Sequence, residues 1–275
     1  MSRIQDSLTG IKKTQGNAEK TKSSKANRQV GSVSELKVKL PESTFNISKK
    51  RRAILDPDHL ESSRIIHDDF ALDAITPYKM LRTRVLQKMD KNDWRILAVT
   101  ASHESAGKTI TAINLAMMIA RSGGRSVYLL DLDLRKPGIA RSLGIKDVST
   151  GVGDYLSGKR KLEEILWSIG VDNLFVAVGK GRFDHSSELL VSTPMIELVS
   201  AIRSDPSEPL IIIDLPPVLA ADDAVAITPI IDSVLFVVAE GETKRADITH
   251  SLELLRDVDL LGVVLNKSRD AHPGY

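Results

Sequence analysis

The fold is indicated by one loop sequence, Thr100-Ala101-Ser102-His103-Glu104-Ser105-Ala106-Gly107-Lys108-Thr109. It follows a short apolar segment, residues 96–100, that predicts a strand. It precedes residues 109–121, whose apolar side chains recur at helical spacing and stop before a pair of glycines. A loop between a strand and a helix is the setting of a phosphate-binding loop, where backbone N–H groups and the helix N-terminus attract anions. We therefore predict that Lys108 contacts the β- and γ-phosphates of a nucleotide and that Thr109 binds Mg²⁺.

The loop departs from the general pattern G-x-x-x-x-G-K-[ST] at its first position, where Ser102 stands instead of glycine. The prediction therefore depends on Gly107-Lys108-Thr109 and on the strand–loop–helix setting. Two further motifs support it, and both are apolar segments that end in aspartate.

Aspartates follow two of the predicted strands. Asp131 and Asp133 come after one aliphatic segment and precede Arg135, and Asp214 comes after a run of three isoleucines. Ligands of α/β sheets bind at the carboxyl ends of parallel strands, and a single aspartate in this place has the form of a Walker B element that holds Mg²⁺. The residues alone leave an alternative open, in which Asp131 caps the next turn and pairs with Arg135 on the surface, and Asp214 belongs to a turn before two prolines.

The wider pattern predicts an α/β fold, a P-loop NTPase with a mainly parallel central sheet flanked by helices on both faces. Short aliphatic segments alternate with helical ones, which favours parallel strands buried between helices. Aromatic residues are only 4% of the chain, so we expect a core of Ile, Leu, Val and Ala. Residues 61–275 are predicted to form one domain. The expected strands are 96–100, 127–130, 174–178, 210–213, 234–238 and 262–265, and the expected helices are 74–89 (with Pro77 in its first turn), 109–121, 150–170 and 187–203.

The N-terminal residues have a different composition. Residues 1–60 are polar and contain few large apolar side chains, which predicts a disordered tail. Residues 1–52 hold 13 Lys or Arg against 4 Asp or Glu, a net charge of +9 that leaves −7 on the rest. The densest cluster is Lys49-Lys50-Arg51-Arg52. This basic stretch is either a plain solvated tail or a tether to an anionic membrane surface.

Composition also excludes several classes of function. The chain has no cysteine, so it has neither disulfides nor thiolate metal sites. Its longest apolar runs are far shorter than the ~20 residues that span a bilayer, and its first residues lack the apolar region of a secretory signal. The six histidines lack ligand spacing, and no nucleic-acid reading motif accompanies the basic residues. We expect a cytoplasmic protein, peripheral to the inner face of the cell membrane if the tail is a tether, with no nucleic-acid partner.

Taken together, the motifs resemble those of the bacterial tyrosine kinase (BY-kinase) family of capsular and exopolysaccharide synthesis, which is related to the ParA/MinD ATPases. The resemblance covers about residues 74–267. It is carried by residues 129–135, which resemble the family's second Walker motif, by residues 211–217, which resemble its Walker B motif, and by Leu81-Arg82-Thr83, residues 151–158, Ser187-Glu188-Leu189-Leu190 and residues 262–266.

The resemblance implies an ATP·Mg²⁺ site that phosphorylates tyrosine hydroxyls. Lys108, Asp131 and Asp133 are then the catalytic residues, with Asp131 accepting the tyrosine proton or orienting its hydroxyl. Thr109, Asp133 and Asp214 would bind Mg²⁺. The nucleotide-binding residues implied in this way are Ser105, Ala106, Gly107, Lys108, Thr109 and Ile110, with Asn266 on the base side.

The family also implies partners, and here the sequence departs from the family pattern. Such kinases act with a membrane-anchored polysaccharide chain-length regulator whose cytoplasmic end activates them, and they form homo-oligomers through the motif Glu-x-x-Arg-x-x-Arg. Thr76, Lys79 and Arg82 occupy that motif here, so its acidic end is missing. The family's C-terminal tyrosine cluster is reduced to Tyr275, the candidate for autophosphorylation.

The phosphate loop itself also differs from the family. Family members read Pro-Gly-Glu-Gly-Lys, whereas this chain reads Glu104-Ser105-Ala106-Gly107-Lys108. A serine in place of the glycine costs about 1–3 kcal/mol if the position needs a positive φ. Two alternatives to a kinase therefore stay open: a nucleotide-responsive scaffold or regulator without kinase activity, and a MinD/ParA-like ATPase, although His103 stands where those proteins carry their signature lysine.

Overall fold

The computed structural model describes residues 51–67 and 72–268 of the 275-residue chain. Within these residues one sheet contains eight strands in the order β1-β4-β5-β3-β6-β2-β7-β8. All neighbouring strands are parallel except β4, which is antiparallel to β5. The strands are β1 (Arg51–Arg52), β2 (Ile96–Ala101), β3 (Val127–Asp131), β4 (Leu166–Ser168), β5 (Leu174–Ala177), β6 (Leu210–Asp214), β7 (Ser233–Ala239) and β8 (Asp259–Asn266).

Helices cover the sheet on both faces. Their order along the chain explains the parallel strands, because each long helix returns the chain to the edge of the sheet from which the next strand starts. The helices are α1 (Pro57–Ser62), α2 (Leu72–Asn92), α3 (Lys108–Arg121), α4 (Ile139–Ser142), α5 (Val152–Leu156), α6 (Leu162–Ile165), α7 (Ser186–Leu190), α8 (Thr193–Arg203), α9 (Asp223–Ala226) and α10 (Arg245–Leu254).

The central strands are buried along their whole length, which is why they read as unbroken aliphatic runs. Every residue of β2, β3, β6 and β7 is buried. Alternate side chains enter two separate cores, so that Leu97 and Val99 of β2 pack in one and Ile96 and Ala98 in the other. The predicted α/β fold, with its mainly parallel sheet between two layers of helices, is confirmed.

The predicted tail extends too far toward the C-terminus. Residues 51–60 were assigned to it, but Arg51 and Arg52 pair with β4, and α1 begins at Pro57 and buries Leu60. The Arg51 guanidinium stacks over the Trp167 ring at 5.1 Å and its Nη2 donates to Ser149 Oγ at 2.6 Å. Arg51 therefore belongs to the edge of the sheet and not to a solvated basic cluster. Residues 1–50 and Tyr275 lie outside the described residues.

Three other predicted helices differ from the structure. The one predicted at 187–203 is two helices, α7 and α8, with a turn between them at residues 191–192. Residues 150–170 are not one helix: they form α5, α6 and then β4, because Leu166 and Trp167 turn into the sheet beside β5. The helix predicted at 74–89 is longer, from Leu72 to Asn92, so Pro77 lies inside it and not in its first turn. Among the described residues, no helix has both the length and the apolar character that crossing a bilayer requires.

Candidate functional site

The phosphate loop joins β2 to α3 and ends at Gly107, the residue before the helix. Gly107 has φ +94°, and a Cβ at this position would lie 2.0 Å from Asn266 Nδ2. The Asn266 amide donates to the Ala106 carbonyl at 2.8 Å, so the end of β8 holds the loop from one side. Only glycine fits here, since both the backbone angle and the available space exclude a side chain.

The two serines that replace glycines in this loop lie in different environments. Ser105 has φ +63° and is exposed, so it adopts the left-handed conformation that the family's glycine would adopt at little cost. Ser102 is buried and does not have a positive φ, and its Oγ accepts a hydrogen bond from Ser251 Oγ at 3.0 Å. The backbone of Ser105 is therefore strained, whereas the serine at position 102 gains a hydrogen bond that a glycine would not make.

Four predicted site residues converge at the carboxyl ends of β2, β3 and β6. Lys108 Nζ lies 2.9 Å from Asp133 Oδ2 and 3.4 Å from Asp214 Oδ1, and Thr109 Oγ1 donates to Asp214 Oδ2 at 2.7 Å. Burial alone would lower the pKa of Lys108, but Asp214 and Asp133 outweigh it and raise that pKa. Burial raises the pKa of Asp214, while Lys108 and Thr109 oppose the shift.

Asp131 is fully buried beside this cluster. Its Oδ2 accepts from the N–H groups of Gly138 and Ile139 at 3.0 and 2.9 Å, whereas Oδ1 has no hydrogen-bond partner. Burial, followed by the negative charge of Asp214, raises the pKa of Asp131 to about 8. Part of the alternative interpretation is thus correct, because one oxygen caps α4. The other oxygen remains free to accept a proton.

Carboxylate and hydroxyl oxygens of this kind suit Mg²⁺, which takes one or two protein carboxylates and completes its shell with water and substrate phosphates. Asp133, Asp214 and Thr109 supply such a set around Lys108. Among the described residues no three His, Cys, Asp or Glu side chains gather as a self-contained metal site. The donor set therefore fits a metal that arrives with a phosphate ligand better than one held by protein alone.

Arg135 does not pair with Asp131. Its Nε donates to Ser186 Oγ at 2.9 Å, and Ser186 Oγ in turn donates to Asp223 Oδ1 at 2.9 Å. Ser186 and Asp223 are fully buried, and neither was predicted as a site residue. No local signal identifies them, because they lie 51 and 88 positions along the chain from Arg135 and are not part of a spaced motif.

A cleft of about 180 Å³ opens in front of Asp133. Glu104 and Lys136 meet at its rim, where Lys136 Nζ donates to Glu104 Oε1 at 2.6 Å, and both side chains are largely exposed. The Lys136 N–H donates to Asp133 Oδ1 at 3.0 Å, which fixes the rim to the carboxylate cluster. The other residues lining the cleft are Arg135, Arg182, Pro216, Pro217, Ala220 and Ala221.

The remaining predicted residues lie near the site in different ways. Ala106 is buried in the loop, and Ile110 is partly buried on α3 against the core. His103 Nε2 lies 3.0 Å from Asp247 Oδ2 of α10. The three positions of the oligomerisation motif lie on one face of α2, with Thr76 and Lys79 exposed and Arg82 half-buried.

A P-loop followed by two strands that end in aspartate, on a mainly parallel sheet, defines the class of P-loop α/β proteins. No family model matches the chain. Curated relatives do match it: EpsB of Ralstonia solanacearum is 33% identical over 208 residues, which is 74% of this chain and 26% of EpsB. The tyrosine-protein kinase CpsD of Streptococcus pneumoniae is 31% identical over 201 residues, 72% of this chain and 86% of CpsD. The chain thus spans about a quarter of the length of EpsB but most of CpsD.

Solved structures of other proteins have the same fold as this chain. The kinase domain of the Escherichia coli tyrosine kinase ETK superposes with a TM-score of 0.65 at 25% identity, over 82% of this chain and 91% of that one. The cell division ATPase MinD of Pyrococcus furiosus, at 24% identity and a TM-score of 0.52 over 64% of this chain and 74% of that one, shares the fold alone. The chain belongs to the bacterial tyrosine kinase (BY-kinase) family.

Proposed function

We propose that this protein is an ATP-dependent protein-tyrosine kinase of exopolysaccharide or capsule synthesis. The observation that supports this most is the convergence of Lys108, Thr109, Asp133 and Asp214 within hydrogen-bond distance, with the unpaired oxygen of Asp131 beside them. A cation, a hydroxyl and two carboxylates in front of a helix N-terminus are what a nucleoside triphosphate with Mg²⁺ requires.

In the proposed reaction a bond forms between the tyrosine Oη and the γ-phosphorus of ATP. The bond between that phosphorus and the bridging oxygen of ADP breaks, and the phenolic proton leaves. Lys108 would exchange its contact with Asp133 for the β- and γ-phosphate oxygens, and Thr109, Asp133 and Asp214 would hold Mg²⁺. The metal, when bound, neutralises negative charge on those phosphates. Most of the acceleration of phosphoryl transfer comes from such positioning and charge neutralisation.

Asp131 is the proposed acceptor of the phenolic proton. Its pKa of about 8 lies close to neutral pH, so a minority of the carboxyl groups is deprotonated there and able to accept a proton, and this fraction grows as pH rises. The two N–H groups that bind Oδ2 fix its orientation and leave Oδ1 as the reactive oxygen. A base with its second oxygen held in this way needs no further positioning when the substrate arrives.

The wider setting follows from the family. We propose a membrane-anchored chain-length regulator as the activating partner, a cytoplasmic location at the inner face of the membrane, and homo-oligomers as one working state. Residues 1–50, with a net charge of +7, would contact anionic lipid, and Tyr275 would be the residue that the kinase phosphorylates on itself. Asn266 would lie on the base side of the nucleotide while it holds Ala106.

A second candidate is a nucleotide-responsive regulator that does not transfer phosphate to tyrosine. The left-handed Ser105 and the carboxylate of Glu104 favour it, because the first strains the phosphate loop and the second adds negative charge near an anionic ligand. Such a protein would bind ATP and report the bound state to the same membrane partner by a change of conformation.

Incubation of the purified protein with MgATP, alone and with the cytoplasmic segment of a regulator, separates the two candidates. We expect phosphotyrosine in the wild-type protein, its loss in Lys108→Met, and its disappearance from the C-terminal peptide in Tyr275→Phe, all read by mass spectrometry. ATP binding without phosphotyrosine under both conditions would reject the kinase and support the regulator.

A further inference from the structure

Arg135, Ser186 and Asp223 form a relay of side chains behind the cleft. The Arg135 Nε donates to Ser186 Oγ at 2.9 Å, and Ser186 Oγ donates to Asp223 Oδ1 at 2.9 Å. Arg135 also lines the cleft that opens in front of Asp133, and its side chain is about one-third exposed. One end of this arginine is therefore held by buried groups while the guanidinium reaches the space before the reactive cluster.

The buried carboxylate of Asp223 would destabilise the folded protein if no cation lay near it. Asp223 is fully buried, and its Oδ2 makes no hydrogen bond, since the Arg135 Nε lies 3.5 Å away. A buried carboxylate with one unpaired oxygen lowers stability unless a nearby cation compensates it. Arg135 is the cation nearest to it, so the charge of Asp223 draws the guanidinium toward one fixed position.

The outer nitrogens of Arg135 remain available. Nη2 lies 3.5 Å from Asp222 Oδ1 on the exposed surface, and no hydrogen bond within the described residues engages either Nη1 or Nη2. A guanidinium with a bound Nε and two free Nη groups can still give two parallel N–H donors to phosphate oxygens. This is the geometry by which arginines stabilise a phosphoryl group in transfer.

We propose that Arg135 binds the phosphoryl group as it passes to the acceptor, and that Ser186 and Asp223 are positioning residues that hold Arg135 for this task. The inference rests on the proposed kinase function. In that reaction the γ-phosphorus leaves ADP for the tyrosine oxygen, and Arg135 neutralises charge on its equatorial oxygens without forming a bond. Ser186 and Asp223 lie on the first residues of α7 and α9, so the relay also joins three loops at the carboxyl edge of the sheet.

The test compares Arg135→Lys, Ser186→Ala and Asp223→Asn with the wild type, with Ser187→Ala as the matched control. Ser187 is the neighbouring serine, half-buried and without a hydrogen bond in the described structure. Two affinities are measured: that for MgADP, and that for MgADP with aluminium fluoride, which mimics the phosphoryl group in transfer. The kcat and KM for MgATP are measured in parallel.

We expect MgADP affinity to stay within about twofold in all variants. Affinity for the fluoroaluminate complex and kcat should fall about a hundredfold in Arg135→Lys, and about tenfold or more in Ser186→Ala and Asp223→Asn, because misplacing a catalytic group is enough to slow the reaction. Ser187→Ala should match the wild type. Arg135→Lys keeps the charge, so it decides the question if Asp223→Asn does not fold.

Two results would overturn the proposal. One is an equal loss of affinity for MgADP and for the fluoroaluminate complex, which would show that the relay only holds the loops together. The other is Ser186→Ala and Asp223→Asn behaving like Ser187→Ala. If the wild type makes no phosphotyrosine at all, the kinase proposal fails, while the two affinities still show whether Arg135 binds a phosphoryl group.

Discussion

Replacing Ser105 by glycine tests whether the phosphate loop is strained. Ser105 has φ +63°, its side chain is exposed, and it makes no hydrogen bond in the described structure. The substitution therefore removes an unfavourable backbone conformation and no contact. We expect Ser105→Gly to stabilise the folded protein, even though glycine in general destabilises folded chains.

The expected size follows from two opposing effects. The left-handed conformation costs an L-residue roughly 1–2 kcal/mol, and glycine avoids that cost. Glycine also makes the unfolded chain more flexible, which lowers the free energy of unfolding by about 0.5–1 kcal/mol. The net gain for Ser105→Gly is then about 0.5–1 kcal/mol.

Ser102→Gly is the matched control, since it restores the glycine of the general loop pattern at a position where φ is not positive. It gains nothing from the backbone, and it loses the hydrogen bond from Ser251, worth about 1 kcal/mol. With the entropy of the new glycine, we expect a loss of about 1.5–2 kcal/mol. Urea denaturation of the two variants measures both free energies against the wild type.

The two serines should therefore differ in sign, although both replace a glycine of a known pattern. Equal destabilisation by the two substitutions would refute the argument, because it would show that Ser105 bears no backbone strain. A gain in both variants would equally refute it, because glycine would then stabilise a position without a positive φ, and the gain at Ser105 could not be assigned to its backbone conformation.

Three further predictions test other parts of the molecule. Leu60→Ala should lower the free energy of unfolding by about 2–4 kcal/mol in urea denaturation, since Leu60 is buried. An unchanged free energy would contradict the assignment of residues 51–60 to the folded domain. The raised pKa of Asp131 means that the folded protein binds more protons than the unfolded chain from about pH 4 to about pH 8, so the free energy of unfolding falls as pH rises through that window. Asp131→Asn should reduce this fall by at least about 1.4 kcal/mol, the equivalent of one pKa unit. Denaturation at pH 5.5 and at pH 8.5 measures the difference, and an unchanged pH dependence would contradict the raised pKa of Asp131. A peptide of residues 1–50 should bind vesicles that contain anionic lipid, and it should dissociate from them as salt rises from 0.1 M toward 1 M, where the Debye length falls from about 10 to about 3 Å. Equal binding to neutral vesicles would exclude an electrostatic tether.

Much of the site could be predicted from the sequence because its signals are local. The Gly107-Lys108-Thr109 motif lies between one strand and one helix, and each aspartate directly follows its own aliphatic strand. Parallel strands bring such residues to one edge of the sheet, so their meeting in space follows from the fold class. The double role of Asp131 was harder to predict, because one carboxylate can cap a helix with one oxygen and keep the other free.

The features that were missed depend on contacts between distant residues. The strand at Arg51–Arg52 has only two residues, too few to show the apolar alternation that predicts a strand. It is held in place by the contact of Arg51 with Trp167, which is distant in sequence. The helix predicted over residues 150–170 fails for a similar reason, since Leu166 and Trp167 suit a helix and a strand equally until β5 is present. Ser186 and Asp223 meet Arg135 only after the chain has folded, which single-sequence patterns do not encode.

The lysine of the phosphate loop also balances the charge of the buried site. Because the Lys108 ammonium lies between the carboxylates of Asp133 and Asp214, the folded chain carries its own counter-ion at the point where three strands end. Each of these two carboxylates therefore has a compensating cation within the same polypeptide. A nucleotide that binds through Lys108 has to replace two internal ion pairs, so part of its binding free energy is spent on separating them.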